Sequence, residues 1–196
     1  MHFFDKLKRL IIKTTQNHGG KSDRKRRTVL KKLVRKAQLG DAESFIELME
    51  INKENMYKIA RSYLKCDADV ADAMQETTLK CFEKIKTLDN PKFFKTWLTK
   101  ILINNCNDII RKGKTVELFA DYKEIELADK PEDLREFHEL IQSLDEKYRT
   151  ILVLHYVEGF KINEIAEILD VNVNTINSRL QRSRAMLKNE LTHVVL

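Results

Sequence analysis

Apolar residues between Leu144 and Leu187 recur at helical spacing in three short runs. The first run contains Ile151, Leu152, Leu154 and Tyr156. The second has the i, i+3, i+4, i+7 spacing of an amphipathic helix, with Ile162, Ile165, Ala166 and Leu169. Asp170 and Val171 interrupt the pattern, and Asn172 is a suitable N-cap for a third helix. The predicted buried row of that third helix is Val173, Ile176, Leu180, Ser183 and Leu187.

The second and third helices are joined by a short turn, which predicts a helix-turn-helix. The free face of the third helix carries side chains that hydrogen-bond at base edges, namely Thr175, Ser178, Gln181 and Arg182. Cations that suit phosphate contacts flank this face at Arg179, Arg184 and Lys188. Pattern alone leaves an alternative open, an amphipathic helix whose outer side is simply solvated.

Residues 29–112 predict a separate helical domain. One helix ends before Gly40, Asp41 caps the next, and Asp67 opens a longer one. Between the last two, a further helix carries the row Met56, Ile59, Ala60, Tyr63 and Leu64. The inward residues predicted for the longer helix are Val70, Met74, Phe82 and Ile85. With 5 Gly and 2 Pro in 196 residues, few positions break helices. We therefore predict an all-α chain of two small helical domains joined by a flexible linker.

The longer helix of this domain also has a polar, acidic side. Asp72, Gln75 and Glu76 stand at i, i+3 and i+4, which gathers them into one patch. Paired carboxylates serve general acid and base chemistry in some enzymes. Here no nucleophile with a nearby base, no metal-ligand spacing and no Gly-rich phosphate loop accompanies them. We predict no catalytic residue, no metal site and no cofactor, and a solvated face is the plain interpretation of the patch.

The helix predicted from Lys92 to Lys112 mixes aromatic and basic residues. Phe93, Phe94 and Trp97 come first, and the cations are Lys95, Lys100, Arg111 and Lys112. Aromatic platforms with cations suit single-stranded nucleic acid, because exposed bases stack and phosphates need neutralising. Trp97 also shares core spacing with Leu98 and Ile101, so we expect Phe94 and Trp97 to be mainly structural.

The N-terminal segment of the chain is basic, and the segment that follows the first domain is acidic. Residues 1–36 hold 13 lysines and arginines against 2 acidic residues, in a chain of net charge +6. We assign residues 1–28 to a basic N-terminal extension, either a solvated tail or a surface for a membrane, a partner or DNA. Residues 113–131 are acidic and lack periodicity, so they are predicted to be a linker. Residues 132–196 form the second domain, beginning with a helix up to Ser143.

The three cysteines, Cys66, Cys81 and Cys106, are odd in number, widely spaced and without a Cys-x-x-Cys pair. This pattern indicates neither a disulfide framework nor a zinc site, and favours small packing residues in a reducing compartment. The sequence shows no apolar run long enough to span a bilayer and no secretory segment, so we expect a cytosolic protein.

The wording of the C-terminal block strengthens the helix-turn-helix prediction. EGFKINEIAEILDVNVNTINSRLQRSRAML, from Glu158 onward, resembles region four of bacterial RNA polymerase sigma factors of the extracytoplasmic-function (ECF) group. The matching residues are Glu158-Gly159, Glu164-Ile165-Ala166, Leu169, Val173, Thr175, Ser178-Arg179-Leu180, Arg182 and Arg184. Two positions depart from the family pattern. Asp170 replaces a turn glycine, which Asp tolerates, and Asn177 replaces a commonly basic residue, which affects promoter preference.

Three further blocks resemble region two of the same family: LVRKAQLGDAESF, DVADAMQETTLKCFEKIKTL and FFKTWLTKILINNCNDIIRK. The resemblance implies that Asp72, Gln75 and Glu76 dock on the clamp-helices coiled coil of the largest polymerase subunit. It further implies that the loop from Leu88 to Lys92, with Lys100 and Asn104, captures the flipped base of the −10 promoter element. Ile103 departs from a commonly basic position there.

By the same resemblance, the third helix of region four binds the −35 promoter element. Its candidate contact residues are Thr175, Asn177, Ser178, Arg179, Gln181, Arg182 and Arg184. The implied partners are core RNA polymerase, promoter DNA and an anti-sigma factor. Two alternatives stay open: a conventional helix-turn-helix regulator that binds duplex DNA without polymerase, and a helical partner-binding protein that regulates another factor.

Overall fold

The computed structural model describes residues 21–116 and 144–193. These residues fall into two compact units, one in each range. Within the two ranges the regular elements are all helical, which confirms the all-α prediction. The amphipathic start of the chain, most of the predicted linker and the helix expected before Ser143 lie outside the described residues.

The first unit contains four α-helices. They are α1 (Lys21–Gln38), α2 (Ala42–Tyr63), α3 (Asp67–Lys84) and α4 (Phe94–Val116). Two 3₁₀ turns, Ile85–Thr87 and Pro91–Phe93, connect α3 to α4. Helix α1 begins earlier than the domain boundary predicted at residue 29, so the basic run at positions 24–27 is part of a helix. Helix α2 is continuous where two helices were expected, and in its interior Asn52 donates a 2.7 Å hydrogen bond to the Leu48 carbonyl.

The turn between α1 and α2 forms as predicted. Gly40 has φ +96°, a conformation that glycine adopts without the strain a side chain would cause. Asp41 then caps α2: its Oδ1 accepts from the Ser44 amide at 3.3 Å and its Oδ2 accepts from the Ser44 hydroxyl at 2.8 Å. These hydrogen bonds to the ionised form lower the pKa of the Asp41 carboxyl.

The inward row of α3 differs from the prediction. Its buried residues are Val70, Ala73, Thr77 and Cys81. Met74 is half-buried, and Phe82 is 59% exposed, so both were wrongly placed in the core. The small side chains of Ala73, Thr77 and Cys81 let α3 pack closely against α4. Cys81 and Cys106 are buried, which confirms their reading as packing residues, and burial raises the pKa of the Cys81 thiol to about 12.

The second unit contains α5 (Glu146–Leu152), α6 (Ile162–Leu169) and α7 (Val173–His193). Helix α5 continues into a π-helical segment, Val153–Val157, which the sequence did not predict. The fully buried side chains are Ile151, Leu152, Leu154, Ile165, Ile168, Ile176, Leu180 and Leu187. Ile168 was missed, whereas Val173, predicted to be buried, is 37% exposed at the start of α7. Across both described ranges, no helix combines the length and apolar character needed to cross a bilayer.

Candidate functional site

The turn between α6 and α7 fixes the start of the candidate recognition helix. Asp170 has φ 54° and ψ 47°, the left-handed conformation expected for it, and ends α6. Two residues later, the Asn172 side chain caps α7 by accepting from the Asn174 amide at 2.8 Å. Both predictions for this turn are therefore confirmed, and the connection has the short form of a helix-turn-helix.

The outer face of α7 is polar and accessible. Asn177, Ser178, Gln181 and Arg182 are exposed, and Thr175 and Arg179 are half-buried. The Ser178 hydroxyl donates to the Thr175 carbonyl at 3.0 Å, which leaves its oxygen able to accept. Neither Gln181 nor Arg182 has a hydrogen-bond partner among the residues that the structure describes. This face can therefore hydrogen-bond to an external ligand without breaking internal contacts.

Arg184 is held in place rather than free. Its Nε donates to the Tyr156 hydroxyl at 2.6 Å, and its guanidinium lies over the same ring, 5.6 Å from the centroid. Tyr156 in turn makes an edge-to-face contact with His155, with centroids 4.7 Å apart. The π-helical segment thus orients a cation at the side of α7. Tyr156 was predicted only as an apolar residue, and the contact was missed because 28 residues separate the pair.

The acidic patch on α3 forms as predicted, with Asp72, Gln75 and Glu76 all exposed. The structure adds a polar chain that leads inward from it. Lys80 Nζ lies 3.1 Å from Glu76 Oε1 and donates to Asn105 Oδ1 at 2.6 Å. The buried Asn105 then donates to Thr77 Oγ1 at 2.8 Å. A surface carboxylate is thereby linked to the interface between α3 and α4.

An open apolar groove between α2 and α3 adjoins this patch. Gln75 belongs to both, since it also lines the groove. The apolar lining residues are Phe45, Ile46, Met49, Met56, Met74 and Leu79. Ile46 and Leu79 are each more than 60% exposed. The sequence did not predict the groove, because Met74 was placed inside the core. Leu79, an apolar residue that fits no predicted buried row, was the available signal.

The loop before α4 is anchored from α1. The Gln38 amide donates to the carbonyls of Ile85 at 3.1 Å and Leu88 at 2.6 Å. The Leu88 side chain is 7% exposed and anchors the loop, and the contact of this loop with DNA stays a prediction. Lys92 is exposed, with its amide capped by Asn90 Oδ1 at 3.0 Å and its Nζ 5.9 Å from the Phe93 ring centroid.

One face of α4 continues from this loop. Lys100 and Asn104 are exposed, Phe93 is 50% exposed and Trp97 is half-buried, and their spacing places them on one side. Phe94 is buried, which confirms its structural role. Ile103, which stands at a commonly basic position of the family, is 2% exposed and belongs to the core, so its side chain is not part of this face.

Comparisons with known proteins agree with both units. The pattern of the Sigma-70 region 2 family matches residues 48–115, and that of Sigma-70, region 4 matches residues 134–187. The RNA polymerase sigma factor SigV of Bacillus subtilis is 34% identical over 145 residues, covering 72% of this chain and 87% of the relative. The ECF RNA polymerase sigma factor SigW of the same organism is 31% identical over 182 residues, covering 83% and 97%.

Solved structures show the same fold. CnrH, in complex with the cytosolic domain of CnrY, aligns with a TM-score of 0.65 at 24% identity, covering 84% of this chain and 98% of that one. The sigma factor RpoE of Bartonella quintana, in complex with the anti-sigma factor NepR, aligns with a TM-score of 0.66 at 24% identity, covering 77% and 98%. The chain belongs to the sigma-70 family of RNA polymerase sigma factors, in its ECF group.

Proposed function

We propose that this protein acts as an ECF sigma factor: it binds core RNA polymerase, recognises and opens a promoter, and so starts transcription. The observation that carries this proposal is the presence of both sigma regions in one chain, in family order, each with an exposed polar face. The protein then acts by binding in the cytoplasm, where the polymerase works, and needs neither a catalytic residue nor a cofactor of its own.

The docking surface for polymerase is the α3 patch together with the adjoining groove. Exposed carboxylates at Asp72 and Glu76 suit basic residues of a partner, and the groove lined by Ile46 and Leu79 suits its apolar ridge. A coiled coil such as the clamp helices offers both features along one side. Lys80 holds Glu76 at the surface in the free protein.

The opened −10 element is held by the face that runs from the loop onto α4. Lys92 and Lys100 supply positive charge for phosphates, and Asn104 supplies an amide for a base edge. Phe93 and the accessible part of Trp97 supply aromatic surface for stacking. Leu88 contributes by fixing the loop from inside, through its burial and the Gln38 hydrogen bond to its carbonyl.

The −35 element is read by the outer face of α7. Gln181 and Arg182 have the groups that recognise adenine and guanine edges in the major groove. Arg179 and Arg184 are placed for phosphates, and Arg184 is already oriented by Tyr156. Because both DNA contacts are tethered to one polymerase, their effective concentrations rise and neither needs to be tight alone.

We also propose an anti-sigma factor as a partner, on the strength of the family resemblance. Such a protein would act most simply by covering the α3 patch and competing with polymerase. Of the two alternatives, a conventional regulator that binds duplex DNA alone does not account for the exposed Asp72, Gln75 and Glu76. A helical partner-binding protein does not account for the polar outer face of α7.

Run-off transcription from genomic fragments tests the proposal. Core polymerase is supplied with wild-type protein, with Glu76→Lys, or with the control Glu47→Lys, which makes the same reversal at an exposed residue of α2. We expect new start sites with the wild type and the control, and their loss with Glu76→Lys. No new transcript with the wild type, together with a DNA footprint in the absence of polymerase, would favour the conventional regulator.

A further inference from the structure

Helix α1 carries a concentration of positive charge that the functions above do not use. Its sequence, KSDRKRRTVLKKLVRKAQ, contains nine lysines and arginines and one acidic residue. The helix precedes residue 48, where the match to the Sigma-70 region 2 family begins, although its last residues, from Leu33, belong to a block that resembles region two.

The charge is organised into two rows. Lys31 and Arg35 are one turn apart, as are Lys32 and Lys36, and all four side chains are exposed. The helical backbone continues the same register two turns earlier, at the sequence positions of Arg24 and Lys25. None of the four exposed cations forms an ion pair with a residue that the structure describes. The carboxylate of Asp41 is hydrogen-bonded to Ser44 and is also attracted by the charge of Lys36, without a close ion pair.

The end of α1 that carries Arg35 and Lys36 lies near the loop that we assign to the opened −10 element. Gln38, one turn after Arg35, donates to the carbonyls of Ile85 and Leu88. The end of α1 also packs against the 3₁₀ turn Pro91–Phe93, which contains the exposed Lys92. The C-terminal end of α1, which carries Arg35 and Lys36, therefore lies beside the loop that we assign to the opened promoter.

We propose that the outer face of α1 binds the phosphate backbone of promoter DNA beside the −10 element, adding contacts that do not read sequence. The proposal rests on the function proposed above. Cations one helical turn apart are separated by about 6 Å along the helix axis. Each cation that reaches a phosphate displaces condensed counterions, so such contacts add affinity without reading sequence.

A lipid surface fits the helix less well. A helix that lies on a membrane inserts its apolar face between the lipids. In α1 that face consists of Leu33, Val34 and Ala37, which are 7%, 0% and 5% exposed because they pack within the first unit. Among the α1 side chains that the structure describes, Val29, at 40%, is the one large apolar residue that is exposed. Helix α1 therefore presents cations with little apolar surface, which favours a phosphate-binding surface over a membrane anchor.

The test removes one row at a time. Lys31→Gln with Arg35→Gln removes the first row, and Lys32→Gln with Lys36→Gln removes the second. The control, Lys65→Gln with Lys84→Gln, removes two exposed charges elsewhere in the same unit. Glutamine has a helix propensity close to that of lysine and arginine, so α1 should persist, as circular dichroism would verify.

Holoenzyme affinity is measured for a promoter fragment that the wild type transcribes, at salt concentrations from about 50 to 200 mM. The slope of log affinity against log salt is negative, and each lost duplex phosphate contact should reduce its magnitude by about 0.9, or about 0.7 for single strands. We expect a less steep slope for at least one row variant and the wild-type slope for the control.

A wild-type slope for both row variants, with polymerase binding intact, would overturn the inference while leaving the sigma function standing. Binding of the wild type and the row variants to anionic lipid vesicles is measured as well. If the row variants lose vesicle binding but keep the wild-type DNA slope, the inference is overturned in favour of a membrane surface. A wild-type chain that directs no transcription would instead refute the proposed function, so the two failures are distinguishable.

Discussion

At the scale of single residues, promoter reading should depend on Arg182, which is exposed on α7 without an internal hydrogen bond among the described residues. Arg182→Ala should weaken holoenzyme binding to its promoter by about 1 to 3 kcal/mol, the usual loss for a bidentate base contact. Competition binding against fragments changed at single −35 positions would measure it. The control Lys147→Ala removes an exposed cation of α5. An equal effect of both substitutions would argue against base reading by Arg182.

Tyr156 should contribute to folding as well as to the orientation of Arg184. Tyr156→Phe keeps the ring under the guanidinium but removes the 2.6 Å hydrogen bond to Nε. We expect the free energy of unfolding to fall by about 1 kcal/mol and promoter affinity to decrease modestly. Urea unfolding and holoenzyme binding would measure the two effects, with Tyr148→Phe as control. Unchanged stability would mean that the contact does not hold in solution.

Residue positions were predictable where local periodicity decides them. The exposed face of α7 and the patch on α3 follow directly from helical spacing. The burial of Leu88 and Ile103 was not predicted, because it depends on packing against other elements and not on their neighbours in sequence. The hydrogen bond that fixes Leu88 comes from Gln38, 50 residues earlier, and no local pattern reveals it.

At the scale of elements, the turn between α6 and α7 depends on the conformation of Asp170. A left-handed residue costs about 1 to 2 kcal/mol unless it is Gly, Asn or Asp. Asp170→Ala should therefore destabilise the second unit by about 1 kcal/mol, whereas Asp170→Gly should be nearly neutral. Urea unfolding distinguishes them, with Glu167→Ala on α6 as control. Equal stability of the Ala and Gly variants would show that the turn is not left-handed.

The buried hydrogen bond between Asn105 on α4 and Thr77 on α3 should couple the effects of substitutions at the two residues. Thr77→Val alone leaves the Asn105 amide N–H without its acceptor, at a cost of about 1 to 3 kcal/mol. Asn105→Leu alone should cost about 1 kcal/mol, because the Thr77 hydroxyl still donates to the Ala73 carbonyl. The double variant should cost less than the two single costs together, because both groups are removed. Chemical unfolding of all four proteins gives the coupling energy, and strictly additive costs would contradict the observed contact.

Element boundaries were largely readable from capping signals, as at Gly40, Asp41 and Asn172, and α3 begins at Asp67 as predicted, although Asp67 is its first residue and not its cap. Three features escaped: the continuity of α2, the inward row of α3 and the π-helical segment after α5. In α3 the large apolar residues Met74 and Phe82 lie away from the core while smaller ones fill it. Sequence patterns assign large apolar residues to the core. This assignment fails here because Met74 lines an open groove and Phe82 is exposed.

At the scale of the whole molecule, the order of two helical units followed from two separate motif blocks, and the matches to regions 2 and 4 agree with it. We propose that the first unit binds polymerase and the −10 element and that the second unit reads the −35 element. The geometry of each unit supports its proposed role. The first unit has carboxylates beside an apolar groove, and the second has a polar recognition face. If this division holds, polymerase binding and promoter reading should be separable by mutation.

The most direct test is the affinity of labelled core polymerase for four proteins without DNA: wild type, Glu76→Lys, Glu47→Lys and Arg182→Ala. We expect Glu76→Lys to bind about tenfold more weakly or worse, a loss of at least about 1.4 kcal/mol. The other two variants should match the wild type. If Glu76→Lys kept full affinity, or if Arg182→Ala lost as much as Glu76→Lys, the proposed docking through α3 would be contradicted.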